Sequence, residues 1–255
     1  MSHPAYGVVR PVTPVASVLL EDNPGTMTLD GTNTWLLRAP GAPASIVVDP
    51  GDDDVEHLTR VAETGEVALI LVTHGHPDHG RGAPWLAERV GAPVRSAGES
   101  LGAPPLADGE VIEAAGLRVR VLHTPGHTDD SVCLEVTHDT GTAVLTGDTI
   151  LGRGTTVISA LGPYLASLRR LAGLPAGTAG LPGHGQELPD LAPVAAEYLA
   201  HREERLGQVR AALDRLGQDA TARQVVEVVY ADVDRALWGP AEWSVAAQLE
   251  YLRDG

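Results

Sequence analysis

Four side chains able to bind a metal ion fall within six positions of the segment Thr73-His74-Gly75-His76-Pro77-Asp78-His79-Gly80. The apolar run before it, residues 67–73, reads as a strand, so the cluster sits at a strand end. Side chains repeat every two residues in extended chain, which points His74 and His76 the same way. Gly75 and Pro77 then bend the backbone, and Asp78 and His79 can turn toward a second ion nearby. One or two histidines in a loop are ordinary surface residues. A cluster this dense is costly to fold and points to metal chemistry.

Three further residues recur in similar surroundings. His127 lies in Thr124-Pro125-Gly126-His127-Thr128, Asp148 in Thr146-Gly147-Asp148-Thr149, and His184 in Leu181-Pro182-Gly183-His184-Gly185. Each follows an expected strand, and each stands beside a glycine that lets the backbone come close. Singly they are weak signals. Jointly they supply three histidines for one ion, Asp-His-His for another, and Asp148 as a bridge. Imidazole and carboxylate without thiolate suits zinc, with manganese or iron also compatible.

The elements that must position these residues alternate through the first two-thirds of the chain. Strands are expected over 15–20, 34–38, 45–49, 67–73, 116–123, 131–137, 142–147 and 178–181, and helices over 54–64, 83–90 and 164–172. Asp52 to Asp54 offer capping oxygens for the first helix. The pattern then becomes helix only. Residues 194–216 carry Leu199, Leu206, Val209 and Leu213 at helical spacing, and helices over 221–230 and 241–252 follow. This implies a mixed strand-and-helix domain over residues 1–192, which carries the metal-competent side chains, and a small helical domain over 193–255.

Composition bounds the rest. The 255 residues are 43% hydrophobic, enough for a large core, which excludes general disorder. With no Phe and 4% aromatics, Leu, Val and Ala must fill that core. Eighteen basic residues against 34 acidic give a net charge of −16, and no basic stripe suits a general grip on duplex nucleic acid. The single cysteine, Cys133, excludes an internal disulfide framework and reads as a buried strand residue. Prolines at 4, 11, 14 and 24 interrupt the first segment, so no signal peptide is expected, and no run reaches the length of a membrane span. A cytoplasmic location is the expectation.

His74-Gly75-His76-Pro77-Asp78-His79, followed by His127, Asp148 and His184, resembles the metallo-β-lactamase superfamily over roughly residues 15–190. The resemblance implies an α/β fold, an αββα sandwich with the metals at the top edge between the sheets. It implies two zinc ions per chain: His74, His76 and His127 hold one, Asp78, His79 and His184 the other, and Asp148 lies between. Asp49, in Val47-Val48-Asp49-Pro50-Gly51, matches a further family motif and would orient the histidine-rich loop without ligating. Cleavage of β-lactams fits poorly. Lactamases with a cysteine ligand have it where Asp148 sits, and the other dizinc lactamases lack the bridging Asp. The segment from Asn23 to Trp35 is similar to the β-lactamase-like protein 2 group, which includes an endoribonuclease. That group also carries a winged-helix-like tail, beginning near a segment similar to His201-Arg202-Glu203-Glu204-Arg205.

The resemblance implies one chemistry for all readings. Two ions would lower the pKa of a bridging water from ~16 toward ~7, giving a hydroxide nucleophile at neutral pH. The substrate is a single-stranded RNA phosphodiester by the subgroup resemblance, or a small acyl ester or thioester by analogy with glyoxalase II. A non-enzymatic DNA-binding tail is disfavoured, because residues 195–255 carry seven Arg against 11 acidic residues. Asp78 and Asp148 are the expected catalytic carboxylates. His201 is a candidate proton donor and Arg202 a candidate contact for an anionic substrate. The partners implied are those substrates, without membrane, and a homodimer is left open.

Overall fold

The computed structural model describes residues 3–98 and 105–254; residues 1, 2 and 255, at the ends of the expected domains, lie outside them. The first sheet has six strands in sequence order: β1 (Arg10–Thr13), β2 (Ala16–Leu20), β3 (Asn33–Leu37), β4 (Ala44–Val48), β5 (Glu66–Val72) and β6 (Val94–Ser96). The second has five, ordered β11 (Ala179–Pro182), β10 (Gly141–Gly147), β9 (Val132–His138), β8 (Leu117–His123) and β7 (Val111–Ala114). Its neighbours pair antiparallel except β10 with β11, and in the first sheet β4, β5 and β6 run parallel. Both parallel stretches need crossover connections, which is where helices are inserted.

The strands read as near-continuous apolar runs because helices cover both outer faces. Between the sheets, Trp35, Leu37, Ile46 and Leu71 meet Val119, Val121, Leu134 and Leu145. The alternate residues Leu36, Val47 and Ile70 face outward against Leu58 and Val61 of α1 (Val55–Ala62) and Leu86 of α3 (Ala83–Val90). On the far side Leu122, Cys133 and Val144 lie under Tyr164, Leu165 and Leu168 of α4 (Leu161–Ala172). The layering is therefore αββα. A short helix, α2 (Pro77–Gly80), is formed by the histidine-rich loop itself.

The long helix α5 (Leu191–Leu216) belongs to two cores. Its first half buries Leu191, Ala195 and Tyr198 on α4. Its second half packs Val209, Ala212 and Leu213 against Val225 and Val226 of α6 (Ala222–Val229) and Val245 and Leu249 of α7 (Trp238–Asp254). Thr221 caps α6 through a reciprocal bond with Gln224. No helix among the described residues is long and apolar enough to cross a membrane.

Three strands go beyond the sequence reading, and the reasons are physical. β1 contains Pro11 and is half exposed, and β7 alternates exposed and half-buried residues at the sheet edge. β6 has only three residues. Edge strands need little apolar pattern, so periodicity does not reveal them. α4 begins at Leu161 rather than at 164, since Pro163 is tolerated within a first turn.

Candidate metal centre

The strand ends deliver seven side chains to one edge of the sandwich. His74 and His76 follow β5, Asp78 and His79 lie on α2, His127 follows β8, Asp148 follows β10, and His184 follows β11. They fall into three mutually close groups: His74 with His76 and His127, His74 with His79 and Asp148, and Asp78 with His79 and His184. Within each group the ligand atoms lie within 4.8 Å of one another. His201 and Arg202 are not part of the cluster. They line a neighbouring cavity.

Hydrogen bonds on the outer side of the histidines settle which nitrogen faces inward. His127 Nδ1 lies 2.7 Å from the Val157 carbonyl, and His184 Nδ1 lies 3.1 Å from the Gly31 carbonyl. His79 Nδ1 lies 2.9 Å from Asp49 Oδ2. These oxygens can only accept, so each Nδ1 carries the proton and, in the neutral ring, each Nε2 presents a lone pair. Those lone pairs converge. His79 Nε2 and His184 Nε2 are 3.2 Å apart, and His127 Nε2 is 3.0 Å from His76 Nδ1.

The carboxylates converge on the same space. Asp148 Oδ1 is 3.4 Å from His79 Nε2, and Asp148 Oδ2 is 3.4 Å from His184 Nε2 and 3.7 Å from His127 Nε2. Asp78 Oδ2 is 3.3 Å from His184 Nε2. Asp148 Oδ1 is buried and has no hydrogen-bond partner. Lone pairs and carboxylate oxygens aimed at one another, with an orphaned buried oxygen among them, fit bound cations. The donor set suits zinc.

The electrostatics agree. Burial alone would lower the His184 pKa, but Asp148 and Asp78 outweigh it and push the group up to about 10. Burial would raise the Asp148 carboxyl, yet His184 and His79 hold it well below the usual range. His74, buried and crowded by His79, is pushed well down. The carboxylates that favour a proton on His184 equally favour a metal ion in its place, so uptake would release protons.

Asp49 ties this edge together. Its Oδ1 accepts from the Thr73 amide at 2.8 Å, and its Oδ2 accepts from the Thr73 hydroxyl at 2.7 Å and from His79. Asp49 adopts φ 51°, a left-handed conformation unusual for a residue with a side chain, and one often found at functional sites. Its backbone carbonyl accepts from Thr34, whose hydroxyl also lies 2.8 Å from His57 Nε2. The opposite loop is fixed by the early motif. Asn33 donates to the carbonyls of Pro182 and Gly185, and the Trp35 indole donates to Pro182, so both brace the turn carrying His184. Gly183 allows the close approach: a Cβ there would lie 2.6 Å from His79 Cε1 and 2.7 Å from Asp148 Oδ1.

Sequence reasoning missed the outer partners. Gly31 and Val157 act through backbone carbonyls, which no residue type announces. Arg202 is buried and donates through Nη2 to the Thr156 carbonyl, next to the residue that orients His127. A signal was present, because Arg202 stands three residues after Leu199 and four before Leu206, on the apolar stripe of α5.

A model of the metallo-beta-lactamase superfamily matches residues 27–184. The chain belongs to that superfamily. A model of the beta-lactamase associated winged helix domain matches residues 221–254, so the helical tail is of that type. The lactamase-like protein adaB of Aspergillus niger is 35% identical over 86% of this chain and 70% of its own length. The beta-lactamase-like protein 2 homolog of Drosophila melanogaster is 34% identical over 92% of this chain and 86% of its own length. A metallo-beta-lactamase family protein from Thermus thermophilus aligns with a TM-score of 0.76 at 26% identity, covering 94% of each chain. A beta-lactamase domain protein from Burkholderia ambifaria gives a TM-score of 0.83 at 23% identity, covering 98% of this chain and 89% of its own, a likeness of fold. The protein is thus a metallo-β-lactamase superfamily hydrolase, and the two curated relatives are named lactamase-like rather than lactamase.

Proposed function

We propose that the protein is a dinuclear metal-dependent hydrolase that cleaves a carboxylic ester or thioester of a small molecule. The observation that carries the dinuclear reading is the Asp148 carboxylate, set between two histidine groups with its oxygens directed toward both. His74, His76 and His127 would hold one ion, and Asp78, His79 and His184 the other. Bound there, the ions would activate water and polarise the scissile carbonyl. The chain's own part is orientation. Asp49, Gly31 and Val157 lock the imidazoles, and Asp78 and Asp148 place negative charge where cations and a proton in transit are held.

The substrate class is argued from the mouth of the site. A cavity of about 120 Å³ reaches His127 and Asp148 and is walled by Met27, Leu29, Leu151, Val157, Leu237 and Pro240. The arginine lining it, Arg153, is already paired with Asp30 through two bonds of 2.8 and 3.1 Å. An apolar throat favours an uncharged acyl group at the scissile bond over a polyanionic strand. The kinship with β-lactamase-like protein 2 keeps single-stranded RNA as the second reading, but the net charge of −16 opposes it.

The test is elemental analysis followed by a substrate panel. Protein purified without chelator is expected to carry about two zinc ions per chain. A content near zero after zinc supplementation would remove the metal reading. The panel sets nitrophenyl esters, acyl-glutathione and acyl-CoA against an RNA oligomer, bis-nitrophenyl phosphate, a homoserine lactone and nitrocefin. Faster cleavage of RNA than of every ester would replace the first reading by the second.

A further inference from the structure

A second cavity, about 220 Å³, lies between the tail and the catalytic domain. Its wall includes His201, Arg202, Arg205 and Tyr230. Three buried nitrogens of this wall have no hydrogen-bond partner: His201 Nδ1, Arg202 Nε and Arg205 Nε. Arg202 is only 3% exposed. Leaving a buried donor unpaired costs roughly 1–3 kcal/mol, more for a charged group, so the two guanidinium Nε–H groups of this wall call for an acceptor, and His201 Nδ1 adds a third donor in the tautomer that carries its proton there. None of the described residues lining it is acidic, in a chain with 34 acidic residues.

The arginines are also pre-set. Arg202 is fixed by its bond to the Thr156 carbonyl, with its guanidinium 5.3 Å from the Tyr164 ring centroid. Arg205 stacks on Tyr230 at 4.4 Å and donates to Gln208 at 2.6 Å. Stacked and tethered guanidiniums lose little freedom when they bind an oxyanion. Burial first, then the charges of Arg202 and Arg205, lower the His201 pKa. The cavity adjoins the metal edge: Thr155, Thr156, Val157, Leu237 and Pro240 line both it and the mouth.

We propose that this cavity is a binding subsite for an oxyanion, a carboxylate or phosphate, carried at the far end of the substrate whose scissile group sits at the metal edge. A volume of 220 Å³ holds such a group with a short organic arm, since a liquid water occupies about 30 Å³. The placement rests on the hydrolase reading, whereas the affinity for an oxyanion does not.

The experiment has two arms on zinc-loaded protein. In the first, inorganic phosphate is titrated by calorimetry into wild type, Arg205→Gln and Arg205→Lys; phosphate uptake at the metal edge is common to all three and cancels in the comparison. Wild type is expected to bind one phosphate more than Arg205→Gln, or the same phosphate at least about tenfold more tightly, with Arg205→Lys in between. Equal binding in wild type and Arg205→Gln overturns the proposal, whatever the enzyme hydrolyses. In the second arm, a nitrophenyl ester bearing a terminal carboxylate is compared with its neutral analogue. A KM lower by about tenfold for the carboxylated ester, lost in Arg205→Gln while kcat on the neutral ester holds, supports the subsite. Equal KM values with phosphate binding intact overturn the assignment to the substrate's end and leave a site for a free anion. Arg205-dependent phosphate binding with no ester cleaved sustains the anion site and removes the ester-hydrolase reading instead.

Discussion

The two histidine groups at the metal edge are built to different standards. In the Asp78 group, His79 and His184 are fully buried and Asp78 is half-buried, and the outer imidazole nitrogens bond to Asp49 and to the Gly31 carbonyl, both of the catalytic domain. In the other group, His74 is buried but His76 is exposed, and His127 is held by the stretch Thr156–Val157. That stretch is gripped from the tail: Arg202 of α5 bonds the Thr156 carbonyl, and Ser244 of α7 accepts from the Ile158 amide at 3.4 Å. One group thus depends on the sandwich alone, and the other depends also on the tail. Loss of the tail's contacts should loosen one ion and spare the other.

The largest effect is expected where the groups meet. Asp148→Ala removes the carboxylate between them and leaves two cations to repel each other. Activity should fall by about 100-fold or more, at or beyond the usual loss for an outer partner, and metal content should drop toward one ion per chain. Full activity with two ions retained would take Asp148 out of the site and dissolve the comparison.

Next comes Asp49→Asn, which probes the firmer group. The Thr73 amide donates to Oδ1, so the asparagine oxygen takes that place and its NH2 faces His79 Nδ1. With an ion held at Nε2 the His79 proton stays on Nδ1, where it meets an NH2 group that cannot accept it, so the bond that orients the ring is lost. The expected outcome is an activity loss of roughly 10–100-fold with most metal retained, read by kinetics and elemental analysis together. Unchanged kinetics would reduce Asp49 to an anchor for Thr73.

Arg202→Gln probes the looser group. About a tenfold loss of affinity is expected for one of the two ions, seen as a biphasic release during chelator titration, with the second phase as in wild type. Cobalt substitution gives a further readout, because only the ion at His127 should change its spectrum. Equal weakening of both ions would mean that the tail supports the domain as a whole. Arg202→Lys, which keeps a donor for Thr156, should restore part of the affinity.

These contrasts also explain what the sequence revealed. All seven metal-competent side chains were legible because their types are rare at strand ends and their spacing is dense. Asp49 was legible through its motif, and the structure adds the reason in its bonds to Thr73 and His79. The carbonyls of Gly31 and Val157 were not, because every residue has a carbonyl and only folding selects which one faces an imidazole. Arg202 stands in a charged run that suggests a substrate contact, and its helical phase adds a place on the buried stripe, where it reaches the Thr156 carbonyl. The strands β1 and β7 escaped for a related reason: exposed edge strands carry little periodic signal.

The smallest effect lies behind Asp49, where the firmer group rests on two buried titratable residues with opposing demands. Burial lowers His57 from 6.5 to about 4 and raises Glu21 from 4.5 to about 7. His57 bonds Thr34, which bonds the Asp49 carbonyl, and Glu21 accepts from the Asp52 amide at 3.2 Å, so both brace residues 49–52. Below pH 6.5 the unfolded chain protonates His57 and the folded one resists, so this group costs stability as pH falls from 6.5 toward 4. Above pH 4.5 the unfolded chain ionises Glu21 and the folded one resists, so that group costs stability as pH rises from 4.5 toward 7. Each swing is about 3 kcal/mol at most. In wild type the two slopes largely cancel between pH 4.5 and 6.5. Denaturant unfolding should therefore show His57→Gln gaining on wild type as pH is lowered through that window, and Glu21→Gln gaining as pH is raised. Parallel curves for all three proteins would mean that neither group holds its shifted pKa, and that the sandwich side of the metal edge is less tightly sealed than its burial implies.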